Sequence, residues 1–142
     1  MKKKIEEYLT HKIPPPPIAT ALGLTLVHAG DGTAVFEYVA DGRHANPMGT
    51  LHGGILCDLA DAAMGIALAS TLAEGDSFTT LELQINFLRP VWQAKLTAKG
   101  RIVSRGRTVA MTACDILDEK QRQIAAATAT QMILAGEMAI GR

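Results

Sequence analysis

An α+β domain, one antiparallel sheet curved around a single long helix, is the fold class this sequence predicts. Three observations carry it. One mostly apolar stretch, residues 55–73, has the length of a helix and no strand period. Two strand-like segments precede it and four follow, with no second long helical segment between them. The chain has 142 residues, near the common size of one domain.

The elements follow in order. Residues 2–12 form a short charged helix, which Pro14, Pro15, Pro16 and Pro17 stop and continue as a stiff spacer. Residues 22–28 and 33–40 are strands joined by a hairpin turn through His28-Ala29-Gly30-Asp31-Gly32. A loop over 41–51, with Gly42, Asn46, Pro47 and Gly49, leads through His52-Gly53-Gly54 into the apolar helix. Glu74-Gly75-Asp76 stops that helix. Residues 81–87 alternate strictly between apolar and polar, the period of a half-buried strand, and Arg89-Pro90 ends it. Strands over 95–104 and 108–117 meet at Arg105-Gly106-Arg107, and Asp118-Glu119-Lys120 turns the chain into a last strand over 123–134. The organisation is a helix and spacer over 1–19, one domain over 20–136 and a tail over 137–142.

The helix is apolar nearly all round, from Ile55 and Leu56 through Leu59, Met64 and Ile66 to Leu68, so burial on most sides is expected. Asp58 and Asp61 would each cost roughly 2.5–3.5 kcal/mol at a bilayer centre, so a membrane span is not expected. Lys plus Arg equals Asp plus Glu at 14 each, which argues against a dedicated nucleic-acid binder. Cys57 and Cys114 form no CxxC pair and no Cys/His cluster, so no metal site is expected. Both read as buried free thiols, which suits a reducing cytoplasm. No apolar segment follows the basic start at Met1 to Lys4, so a signal peptide is not expected.

Two features stand out chemically. Asp61 shares a helical stripe with Met64, Gly65 and Leu68, and a carboxylate on a buried stripe costs free energy unless it is paired or functional. The plain alternative is a polar residue facing a sheet edge. Asp58, nearer the helix start, reads as stabilising the helix dipole. His52-Gly53-Gly54 leaves backbone N–H groups open at a helix start, where donors and dipole favour a developing oxyanion. Its plain alternative is a turn that needs glycine.

The stretch Asn46-Pro47-Met48-Gly49-Thr50-Leu51-His52-Gly53-Gly54, with Leu59-Ala60-Asp61 after it, resembles the hotdog-fold acyl-CoA thioesterases. Within them it is most similar to the PaaI-like and thioesterase superfamily member 2-like branch, over about residues 20–134. The resemblance implies a hotdog fold and hydrolysis of an aromatic or medium-chain acyl-CoA, with coenzyme A as part of the substrate and no cofactor. It implies Asp61 as general base or nucleophile, the Gly53 N–H polarising the thioester carbonyl with Asn46 beside it, and His52 orienting the site. Thr80, counted back from Arg89-Pro90, would hold the water. Gly54 and the Arg105-Gly106-Arg107 segment would bind substrate, the arginines at the coenzyme A phosphates; the alternative there is a solvated turn. The resemblance also implies a homodimer or dimer-of-dimers tetramer, with Asp61 and Thr80 facing Asn46, His52 and Gly53 of another subunit. Two other functions stay open: a hotdog hydratase or dehydratase, whose His-Phe-Pro-type signature is absent, and a non-catalytic acyl-CoA-binding or regulatory module.

Overall fold

The computed structural model describes residues 1–140. Six antiparallel strands form one sheet: β1 (Thr25–Gly30), β2 (Thr33–Ala40), β3 (Ser77–Phe87), β4 (Ala94–Arg105), β5 (Val109–Leu117) and β6 (Gln123–Leu134). Their order across the sheet is β1-β2-β4-β5-β6-β3, so β3 crosses over to pair with β6 and becomes an edge. The long helix, α3 (Gly53–Ala69), packs against the sheet as the hotdog expectation requires. α1 (Lys2–Leu9) and α2 (Pro17–Leu22) form an N-terminal arm pinned by the buried residues Ile5, Ala19 and Leu24.

The seat of α3 is set by small residues. Ala60, Ala63 and Ala67 are buried on its sheet-facing side, against Ala98 and Gly100 of β4 among others. A side-chain carbon at Gly100 would run into the backbone carbonyl of Ala63. The helix therefore rests on bare backbone at this point. Leu59, Met64, Leu96 and Ile116, all fully buried, fill the space on either side.

Several boundaries differ from the sequence expectation. The first helix ends at Leu9, because Thr10 turns its hydroxyl back to the Glu6 carbonyl at 2.7 Å and His11 takes φ 56°. Pro17 does not prolong the spacer. It opens a short helix, since its fixed φ suits a first helical position, and Gly23 closes that helix at φ 78°. The first strand is thereby delayed to Thr25 and runs on to Gly30. The hairpin turn is the two-residue Asp31-Gly32 pair, at φ 49° and 79°. The long helix starts at Gly53 and stops at Ala69, four residues short of the expected end, where the Ser70 hydroxyl donates to the Ala67 carbonyl. β3 begins at Ser77, four residues before its alternating part, because pairing with β6 orders Phe78, Thr79 and Thr80 as well. In the expected tail, Gly136–Ala139 form a 3-10 turn, and residues 141–142 lie outside the described residues.

No helix among the described residues is long and apolar enough to cross a membrane. Of the two cysteines, only Cys114 is buried; Cys57, on α3, is half-buried. Burial pushes the Cys114 thiol up to about 12.

Gly100→Ala is expected to unseat α3. Overpacking a well-filled core costs about 1–3 kcal/mol, and here the obstacle is backbone, which cannot rotate away. Urea denaturation of the variant should show a lowered midpoint with an unchanged slope.

Candidate active site

Asp61 is not buried. It lies at the rim of α3 beside β3, and it is exposed in the protomer. The expectation of an acid on a buried stripe fails for a geometric reason. The alanine face seated on Gly100 fixes the helix rotation, and that rotation turns Asp61 outward. Burial first, and the charge of Asp61 second, push the Asp58 carboxyl above the usual carboxylate range.

Asp61 has one close polar partner. The Thr80 hydroxyl donates to its Oδ1 at 3.0 Å. Thr80 reaches it from β3 at a bulge: Thr80 pairs with Gln131 of β6, Glu82 with Thr130, and Leu81 is the extra residue. Such a bulge re-aims neighbouring side chains. Behind Thr80 stands a residue that sequence reasoning missed. Gln131 is fully buried, its Nε2 donates to the Thr80 Oγ1 at 3.4 Å, and its Oε1 accepts from the Thr112 hydroxyl at 3.3 Å. With an N–H already aimed at its oxygen, Thr80 has its single hydrogen left for Asp61. The only signal in the sequence was a large amide in the alanine- and threonine-rich run of β6.

The second cluster lies at the start of α3. His52 caps the helix, its Nδ1 accepting from the Gly54 N–H at 2.9 Å. The Gly54 donor is thus used internally, whereas the Gly53 N–H meets no partner among the described residues. The His52 backbone donates to the His44 carbonyl at 2.9 Å, and the His44 ring lies 2.8 Å from the buried Tyr38 hydroxyl. Asn46 braces the preceding loop. Its Oδ1 accepts from the N–H groups of Met48 and Thr50, and its Nδ2 donates to the Thr50 hydroxyl. One amide hydrogen of Asn46 remains for another acceptor. The Phe87 ring lies directly against Gly53.

Asp61 with Thr80 forms one half of the expected site, and Asn46, His52 and Gly53 form the other. The two halves do not meet in one chain. Gly53 and Asp61 are eight residues apart on one helix, which is about 12 Å at the helical rise. Arg105, Gly106 and Arg107 form the exposed turn between β4 and β5, with the Gly106 N–H donating to the Val109 carbonyl. Neither arginine has an ion-pair partner among the described residues. Strand register puts Arg105 beside Ala110, Ala110 beside Gln131 and Gln131 beside Thr80. Directly paired residues share a face, so Arg105 projects on the same face as Thr80, about 14 Å away at the usual strand spacing.

A cavity of about 200 Å³ opens beside Asp61, and apart from that carboxylate its walls are almost wholly apolar. Among the described residues, no three His, Cys, Asp or Glu side chains gather where they could hold a metal ion.

Residues 48–125 match the model of a family described as the thioesterase superfamily. Human acyl-coenzyme A thioesterase 13 is 28% identical over 97 residues, 68% of this chain and 69% of that protein. Among solved structures, a phenylacetic acid degradation-related protein from Ralstonia eutropha JMP134 superposes with TM-score 0.81 at 32% identity, over 89% of this chain and 97% of the other. The Escherichia coli PaaI protein of the phenylacetic acid degradation operon shares the fold at TM-score 0.83 and 24% identity, over 95% and 96%.

Gln131→Leu is expected to destabilise the protein by about 1 kcal/mol, the net worth of a lost hydrogen bond, since it leaves the buried Thr112 hydroxyl only the Ala129 carbonyl at 3.5 Å as acceptor. Adding Thr112→Val removes that weakly paired hydroxyl and should recover part of the loss. Thermal melts of wild type, both single variants and the double variant measure this directly; additive losses would show that the two side chains do not depend on each other.

Proposed function

Because the chain belongs to the thioesterase superfamily, we propose that it hydrolyses the thioester of an aromatic or medium-chain acyl-coenzyme A to the free acid and coenzyme A. The observation that carries this reading is the 3.0 Å hydrogen bond from Thr80 to Asp61 beside an apolar cavity. With Oδ1 occupied by Thr80, Oδ2 is left to accept a hydrogen from water. Asp61 takes that proton as the water oxygen attacks the thioester carbonyl carbon. The carbonyl oxygen gains negative charge, which an N–H at a helix start stabilises. The carbon–sulfur bond then breaks, and the departing thiolate takes up the proton that Asp61 received from water, which returns Asp61 to its carboxylate.

The Gly53 N–H is free and suited to that oxyanion, but it cannot come from the same chain as the attacking base. Reacting atoms need to lie roughly 3–3.5 Å apart, far less than the helix span between these two groups. A homodimer in which Asp61 and Thr80 of one protomer face Gly53, Asn46 and His52 of the other removes the conflict. The β3 edge supports this assembly. It is eleven residues long, sits open at the side of the sheet, and leaves Leu81, Phe87 and Leu88 more than half exposed. Two such edges can pair and extend the sheet. Two free cysteines favour a reducing compartment, the cytoplasm.

Asp61→Asn should lower kcat by about 10²–10⁴-fold, the usual loss of a general base, with thiol release from a panel of acyl-CoAs as the measurement. Asn46→Ala should also be impaired. Mixing the two inactive proteins after partial unfolding should restore activity, because a mixed dimer holds one intact site. No recovery on mixing, with both variants folded, would refute the shared site.

The arginine turn generates a separate expectation. Arg105→Ala and Arg107→Ala should raise KM for acyl-CoA with little change in kcat, as expected for lost uniform binding. Neither should affect an acyl-pantetheine thioester, which lacks the nucleotide phosphates that a guanidinium fork would hold. The salt dependence of KM should weaken in both variants. Equal losses on the two substrates would assign the arginines to the fold.

A further inference from the structure

We propose that the N-terminal arm, residues 1–24, is the wall of the acyl-binding cavity, and that Tyr8 sets the length of acyl group accepted. The inference takes its ligand from the thioester-hydrolysis reading above. Its own grounds are the two cavities under the arm.

The first cavity, about 200 Å³, has one polar wall, the Asp61 carboxylate. Ala62, Gly65 and Ile66 of α3 and Phe78 of β3 form its floor. The arm supplies the opposite side through Tyr8, Pro16, Ile18 and Ala19. A thioester carbonyl held at Asp61 has its acyl group beside this apolar space, and apolar walls reward apolar carbon. Ile18 is 59% exposed although it borders the cavity. A filled cavity would cover it.

The second cavity, about 470 Å³, runs beneath the proline stretch from Ile13 to Pro17 and reaches Ile5 and Met1. It shares Tyr8, Pro16 and Ile66 with the first. Those three residues line both spaces. Pro16 is backbone-locked, and Ile66 belongs to the rigid helix α3, so Tyr8 is the side chain whose truncation joins them. At about 30 Å³ per methylene-sized group, taking the volume of a water molecule as the measure, the first cavity holds roughly six or seven such groups. A hexanoyl to octanoyl chain or a single aromatic ring fits it; a longer chain meets Tyr8. The arm lies outside the residues matched by the family model, which begin at 48.

The test uses the full-length protein with two ligand series of increasing chain length, acyl-CoA substrates and non-hydrolysable S-alkyl-CoA thioethers. Wild-type kcat/KM and thioether affinity should each rise about fourfold per methylene, the transfer value of a buried methylene, and stop rising near a seven-carbon tail. Tyr8→Ala should carry both rises on to longer chains, while Tyr8→Phe should leave the break where it is. A break that does not move in folded Tyr8→Ala, or a wild-type series with no break, overturns the proposal. If no thioester is hydrolysed but the thioether break is present and moves with Tyr8, the cavity assignment stands and the hydrolysis reading falls.

Discussion

The contact between the Ala63 carbonyl and the bare backbone of Gly100 governs the rest of the molecule. It is a contact with no side chain on the strand side, so α3 sits close to the sheet and cannot roll without driving a carbonyl into β4. Close packing around it makes that seat stiff. Once the rotation of α3 is fixed, so are the directions of all its residues. Leu59, Met64 and Leu68 point into the core, while Cys57, Asp58, Asp61 and Ala62 turn outward. The position of the acid is thus a consequence of packing on the sheet-facing side of the helix.

The same fact shows where the sequence was legible. The strands, the single long helix and the motif through His52-Gly53-Gly54 were readable because each is a local pattern. Period, punctuation and spacing are stored in neighbouring residues. Asp61 was found as a chemical anomaly, but its environment was misjudged, since a helix apolar nearly all round does not reveal which side the sheet leaves bare. Thr80 lay outside the alternating part of its strand, and only pairing with β6 orders it. Gln131 was illegible for the same reason. A lone amide among alanines and threonines has no local period, and its meaning depends on a partner 51 residues away. Pro17 misled in the opposite sense: four prolines in a row read as a spacer, yet the last of them has the backbone angle that starts a helix.

The protomer has two kinds of unfinished surface, and they differ in origin. The β3 edge is unfinished because a sheet of six strands does not close on itself, leaving backbone donors and acceptors and apolar side chains uncovered. The space beside Asp61 is unfinished because the arm spans α3 without filling the gap beneath. In the proposed dimer a second copy of the chain covers the first and brings a free helix-start N–H to a base that lacks one; in the proposed acyl site a small apolar group fills the second. Folding the arm over α3 costs ordering entropy, which the burial of Ile5, Ala19 and Leu24 offsets.

The buried amide at Gln131 is the part of the site that a simpler protein would omit. An isolated exposed acid beside a threonine could form the same hydrogen bond, but the hydroxyl would be free to turn its hydrogen to water. Direction is what the buried chain adds. The Thr112 hydroxyl has the Gln131 Oε1 at 3.3 Å and the Ala129 carbonyl at 3.5 Å as acceptors, and with Oε1 turned to Thr112 the amide nitrogen faces Thr80. The amide N–H then occupies the Thr80 oxygen, and the only hydrogen left points at Asp61. Every step follows from the donor and acceptor inventory of the three side chains. Because Gln131 and Thr112 are buried, no water competes for their partners, and a polar pair in the interior is tolerable only while each member is satisfied. The interior of the sheet therefore orients a carboxylate that itself lies at the surface, and the carboxylate can stay accessible to water and substrate without losing its orientation.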